Sequence, residues 1–223
     1  MATATHDAPA HAPTNTGVDN RKLLMWGFLA SECLFFGSLI ATYLIFRDES
    51  IIGPFPHDWI DINGVAHEGI LDIPLTSIST FVLLMSSVTM VLAVYGARIG
   101  RPQMMKVWLL GTALLGIVFL GFQAYEFVAF VDEGLTLGRN QFGASFFLLT
   151  GLHGTHVAVG VLVLLLTLLG SFRRNGLGPN AGDHVEIVGL YWHFVDIVWI
   201  IIFTVIYLIP SAPPPGVIEA FGG

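Results

Sequence analysis

A run of apolar residues from about Leu23 to Phe46 is long enough, at about 1.5 Å of rise per helical residue, to cross a hydrocarbon layer roughly 30 Å thick. Four more runs of that kind follow, at about 75–97, 106–128, 142–170 and 187–209. Backbone N–H and C=O groups find no water in such a layer, so each run must satisfy them internally as a helix. The expected fold class is an all-α membrane protein, a five-transmembrane-helix bundle over residues 23–209. Composition agrees: 54% of the residues are hydrophobic and 11% charged, against about 25% charged in soluble domains.

Residues 1–22 form a polar N-terminal tail without an apolar core of its own. That is not a cleavable signal peptide, so the first span is expected to act as an uncleaved signal-anchor. Residues 210–223, with Pro213-Pro214-Pro215 and terminal glycines, read as a flexible C-terminal tail. The net charge of −7 comes mostly from loops and tails, and nothing points to nucleic acid. Cys33 is the one cysteine, so no intrachain disulfide is possible, and it is expected to pack.

Orientation follows from Lys and Arg, which favour the cytoplasmic side of short loops. Arg21, Lys22, Arg98, Arg101, Lys106, Arg173 and Arg174 share one side of the alternating helices, and only Arg47 and Arg139 share the other. The N-terminus is therefore expected in the cytoplasm and the C-terminus outside. The link 98–102 reads as a tight helical hairpin, while the longest loop, 47–74, carries no motif that suggests a role.

Ionisable groups inside the spans are costly, about 3 kcal/mol for an acid at mid-membrane on insertion scales, and should face protein or a partner. Glu32 lies about 14 Å from the start of the first run. Gln123 and Glu126, His153 and His156, and His193 and Asp196 are each spaced i, i+3, which places both members on one helical face. Glu32, Glu126, His153, His156, His193 and Asp196 are thus expected to form an intramembrane polar network, with small Gly151 and Gly154 admitting a neighbouring helix. Four readings stand open. A metal or haem site has imidazoles available but no closed ligand set and no Glu-x-x-His pair. A stand-alone proton or ion transporter lacks inverted repeats. The network either holds helices together or supports a partner or a bound lipid.

Particular stretches narrow the choice. Trp26-Gly27-Phe28-Leu29-Ala30-Ser31-Glu32-Cys33-Leu34-Phe35-Phe36, Leu120-Gly121-Phe122-Gln123-Ala124-Tyr125-Glu126-Phe127 and Phe142-Gly143-Ala144-Ser145-Phe146-Phe147 resemble subunit III of haem-copper terminal oxidases, the cytochrome c and quinol oxidase subunit 3 family. So do Thr150-Gly151-Leu152-His153-Gly154-Thr155-His156-Val157 and Tyr191-Trp192-His193-Phe194-Val195-Asp196-Ile197-Val198-Trp199, in order along residues 20–209.

The resemblance implies a non-catalytic subunit beside oxidase subunit I, with subunits II and IV as further partners. The complex is an aerobic respiratory oxidase of the bacterial cytoplasmic membrane that translocates protons. Haem and copper then belong to partner subunits, with no metal and no catalytic residue in this chain, and a phospholipid is expected to bind. The implied roles are stabilising subunit I, sustaining proton uptake and holding lipid. Glu32 matches the family's intramembrane glutamate, His156 a histidine of the lipid-lined region, and Arg173 an inner-surface arginine suited to a lipid phosphate. With Trp26 these are the expected lipid-binding residues. Trp26 and Trp192 are expected near the inner boundary as an interfacial belt. His193 and Asp196 match the last-helix motif, with an interhelical role. The chain resembles the short form that lacks two helices of the seven-helix form, so any lipid cleft must be incomplete or closed by another subunit. An accessory subunit of a nitric oxide reductase, or a stand-alone transporter, is the alternative, and the choice of electron donor belongs to subunit II.

Overall fold

The computed structural model describes residues 19–211 apart from 51, 62, 174, 175 and 179. Most of the expected N-terminal tail, the C-terminal tail from 212 onward and Arg174 lie outside the described residues. Five helices are long and apolar enough to cross a membrane: α1 (Asn20–Phe46), α2 (Ile73–Arg98), α3 (Pro102–Asp132), α4 (Gln141–Ser171) and α5 (Ala181–Phe203). A π-helical turn, Thr204–Leu208, continues α5.

The helix ends are set by side chains that satisfy orphan backbone groups. Asp19, Asp72 and Asn140 accept hydrogen bonds from the N–H groups of Arg21, Leu75 and Gly143. Gly100 and Gly134 adopt positive φ just past α2 and α3. In each turn the following N–H returns to the last helical turn, Arg101 to Gly96 O and Leu135 to Phe130 O, as a Schellman stop requires.

Packing centres on α5, which contacts α1, α2 and α4, while α2 and α3 form a close hairpin and α3 packs on α4. The most peripheral helix is α1: 11% of its most apolar stretch is buried within the chain, against 50% for α5. Trp192 is the joint of the bundle. Its indole is fully buried, lies against Gly116 of α3 and Gly160 of α4 where a Cβ would come within 3.0 Å of the ring, and donates to Ser86 Oγ of α2 at 2.9 Å. Trp192 is therefore an interior packing residue and not part of an interfacial belt; Trp26, by contrast, is exposed. Cys33 also departs from expectation, since it sits exposed on the outward face of α1.

The long loop folds into a cap over one end of the bundle. It holds a two-stranded antiparallel hairpin, β1 (Trp59–Ile60) and β2 (Ala66–His67), so the chain is mostly rather than wholly helical. Trp59 stacks on His67 with ring centroids 4.2 Å apart, and Asp61 accepts from the N–H groups of Asn63 and Val65 at 2.9 Å. Those bonds hold the Asp61 carboxyl below its ordinary pKa. The cap is fastened to the α3–α4 turn through Asn140 Nδ2 to Ile52 O and Phe142 N to Ser50 Oγ. His57 fastens it to the end of α5, donating from Nε2 to Tyr207 O at 3.3 Å while Nδ1 accepts from Ser211 N at 3.3 Å.

Candidate functional site

The intramembrane acids and histidines do not gather at one point. Glu32 on α1 meets His156 on α4, Oε2 to Nε2 at 3.3 Å. His156 Nδ1 donates to Leu152 O at 2.8 Å, which leaves Nε2 to face the carboxyl. His153 is fully buried away from that pair. Its ring stacks on Trp199 at 4.8 Å and meets Phe36 and Phe119 edge-on, and neither nitrogen has a hydrogen-bond partner among the described residues. Gln123 donates to Thr150 O at 2.7 Å and lies over Gly154.

Glu126 is buried near the cap end and accepts from the Thr76 hydroxyl of α2. His193 Nδ1 lies 2.6 Å from Ser87 Oγ, also of α2. One helical turn further, Asp196 is buried with no hydrogen bond to either carboxyl oxygen among the described residues.

Two groups of functional contacts were not singled out from sequence. The first is the row of hydroxyls along α2. Thr76 serves Glu126, Thr80 accepts from Trp199 Nε1 at 2.9 Å, Ser86 accepts from Trp192, Ser87 pairs with His193, and Thr89 bonds Thr112 at 2.8 Å. Their presence along an otherwise apolar helix was the available signal, because hydroxyls in such a helix look toward other helices. The second is an ionic cluster at the end opposite the cap. Glu186 of α5 binds Lys22 of α1 at 2.8 Å and Arg98 of α2 at 2.9 Å, and Asp183 lies 3.4 Å from Lys22. One carboxylate thus ties three helices.

The expected lipid-binding residues divide in the same way. A groove of about 460 Å³ between α1, α4 and α5 is lined by Met25, Phe28, His156, Val159 and Tyr191 among others. His156, which contacts Glu32, thus joins Thr155 and Tyr191 as a polar member of a mostly apolar surface. Trp26 and Arg173 are exposed and are not among the groove's lining residues. Among the described residues no group of three or more His, Cys, Asp or Glu stands close enough together to hold a metal ion.

Comparison with known proteins bears on the whole chain. Residues 7–211 match the family model of cytochrome c oxidase subunit III. A protein of Staphylococcus saprophyticus named probable quinol oxidase subunit 3 is 38% identical over 204 residues, covering 92% of this chain and 96% of the relative. Quinol oxidase subunit 3 of Bacillus spizizenii is 37% identical over 202 residues, covering 91% and 93%.

Proposed function

Because the chain belongs to the cytochrome c oxidase subunit III family, we propose that it is the non-catalytic third subunit of an aerobic haem-copper oxidase in the bacterial cytoplasmic membrane. Its N-terminus lies in the cytoplasm and its C-terminus outside. It stabilises subunit I, supports proton uptake and holds phospholipid, while electron transfer to oxygen takes place in its partners. The observation that carries this reading is the ordered match over nearly the whole chain, joined to polar groups mostly arranged as helix-to-helix ties. Glu32 with His156, Glu126 with Thr76 and His193 with Ser87 each bridge two helices. Such bonds are each worth about 0.6–2 kcal/mol in a membrane.

For phospholipid, the α1/α4/α5 groove offers an apolar bed for an acyl chain, and its large apolar share fits what a lipid tail requires. Arg173, exposed on the α4–α5 turn at the same end of the bundle, would meet the lipid's phosphate.

A tagged copy of the chain, purified from its own membranes in mild detergent, tests the reading. Co-purification of a haem-containing oxidase, with a haem absorbance spectrum and oxygen uptake, is the expected result. A haem-free chain that by itself carries protons into liposomes would replace this reading with the transporter, and a complex that reduces nitric oxide and not oxygen would replace it with the reductase.

A further inference from the structure

We propose that the α2/α5 interface forms a proton-accepting site within this chain: Asp196, reached from the Arg98–Glu186 end through an open groove, His193 and Ser87. The inference deepens the proton-uptake role proposed above and rests on that reading for its use, while the site itself is a property of this chain.

On α5, Glu186, Gly189, His193 and Asp196 recur at helical spacing and so share one face. From Glu186 to Asp196 that face runs about 15 Å along the axis. Facing α2 contributes Arg98 at one end and Ser87 at the other. Between them lies a groove of about 280 Å³ whose lining includes Tyr95, Arg98, Glu186 and His193. Val91, Val94 and Leu190 line its apolar side, and at about 30 Å³ per molecule there is room for several waters beside Tyr95, Arg98, Glu186 and His193. At Gly189 the two helices approach closely, since a Cβ there would come to 3.3 Å from Met90 and Val94 side-chain atoms. His193 joins the groove to the interior, lining the first and contacting Ser87 Oγ at 2.6 Å. One helical turn past His193 on α5 is the Asp196 carboxyl, 3% exposed and without a hydrogen bond among the described residues. Charge on an unpaired carboxylate is unfavourable there, and binding a proton removes it.

The charged groups around the path are few. Arg98 and Glu186 stand at its mouth, with Lys22 of α1 and Asp183 of α5 behind them. Of the other buried titratable groups of the bundle, Glu32 pairs with His156 between α1 and α4, His153 lies against Trp199, and Glu126 bonds Thr76 at the cap end.

Delivery moves no electrons. A hydrated proton in the groove protonates His193 Nε2 and leaves water. The Nδ1 proton passes to Ser87 Oγ, and the hydroxyl's own proton passes to an Asp196 oxygen once that side chain swings within hydrogen-bond reach. Each bond broken is matched by one formed, and the result is a neutral acid at Asp196 with His193 in its other tautomer.

Infrared difference spectra of the intact purified complex, titrated in pH and labelled with 13C at the aspartate carboxyl, test this. A protonated-acid carbonyl band that shifts with the label and vanishes in Asp196→Asn is expected. Its hydrogen–deuterium exchange should slow by about a hundredfold in His193→Phe and in the nearly isosteric Ser87→Ala. A band that survives Asp196→Asn, or an exchange rate unchanged in Ser87→Ala, overturns the proposal. The haem spectrum of the same sample is scored separately: absent haem with the band retained removes the oxidase reading and leaves the site.

Discussion

Glu32 and His156 meet across the α1–α4 contact, Oε2 to Nε2 at 3.3 Å. The bond from His156 Nδ1 to Leu152 O fixes which nitrogen faces the acid. The pair gives an acid inside an apolar span the polar partner it needs. It is also a principal polar tie on the least buried helix. Glu32→Ala therefore leaves oxygen reduction by freshly assembled complex near its native rate but loosens α1. The coupling in a Glu32→Ala, His156→Ala double-mutant cycle should be about 1 kcal/mol, read as an approximately fivefold faster loss of activity on standing in detergent. Immediate loss of all turnover in a fully assembled complex would instead make Glu32 part of the chemistry. At this scale the sequence was only half legible. Spacing i, i+3 put His153 and His156 on one face, yet those positions differ by about 60° around the axis. On a helix packed between α1 and α3 that angle separates a ring buried against Trp199 from one that meets Glu32.

Elements were easier to find than their ends or their contacts. Apolar runs mark the part of a helix that suits hydrocarbon, whereas the hydrogen-bonded ladder continues through polar residues. So α5 starts at Ala181 and includes Asp183 and Glu186 ahead of the run that begins near 187. The cap carries no long periodic signal, because it is held by single side-chain bonds to distant segments, and His57 is the most consequential of them. Burial lowers the His57 pKa from its ordinary value, and the neutral ring is the form that both accepts from Ser211 and donates to Tyr207 O. Between the lowered folded value and the unfolded value near 6.5 the unfolded ring binds more protons. The latch is therefore at full strength above about pH 6.5 and weakens as pH falls toward the folded value. Asp61 behaves separately: its depressed pKa keeps the hairpin's N–H bonds until pH falls below the ordinary range of an aspartate. Spin labels at Ile60→Cys and Leu208→Cys in a Cys33→Ser background should show the cap-to-α5 distance broadening in mild acid. His57→Gln, which can accept and donate without titrating, should flatten that response; equal broadening in both proteins would remove His57 as the cause.

For the molecule as a whole, five helices that are apolar nearly all round carry little information about which neighbours they choose, because outward faces meet lipid as readily as inward faces meet protein. Charge carries more. Lys22, Arg98, Arg101, Lys106 and Arg173 lie at one end of the bundle, where Lys22 and Arg98 share Glu186 and Lys106 sits 4.4 Å over the Phe172 ring. Arg47 and Arg139 lie at the capped end, bonded to Pro210 O and Gly53 O. The segregation of cations is thus a property of the fold, and a membrane's preference for cytoplasmic cations would turn it into the proposed direction. Cys33 is the one native thiol and is exposed, so it is first replaced by serine. Arg101→Cys should then react with a membrane-impermeant maleimide only in inverted vesicles, and Ile60→Cys, on the exposed side of the cap, only in intact spheroplasts. The opposite pattern would invert the whole assignment. It would also open the α2/α5 groove, whose mouth is at Arg98 and Glu186, to the side from which an oxidase does not draw its protons, so the sidedness of those two thiols decides whether the groove can supply proton uptake at all.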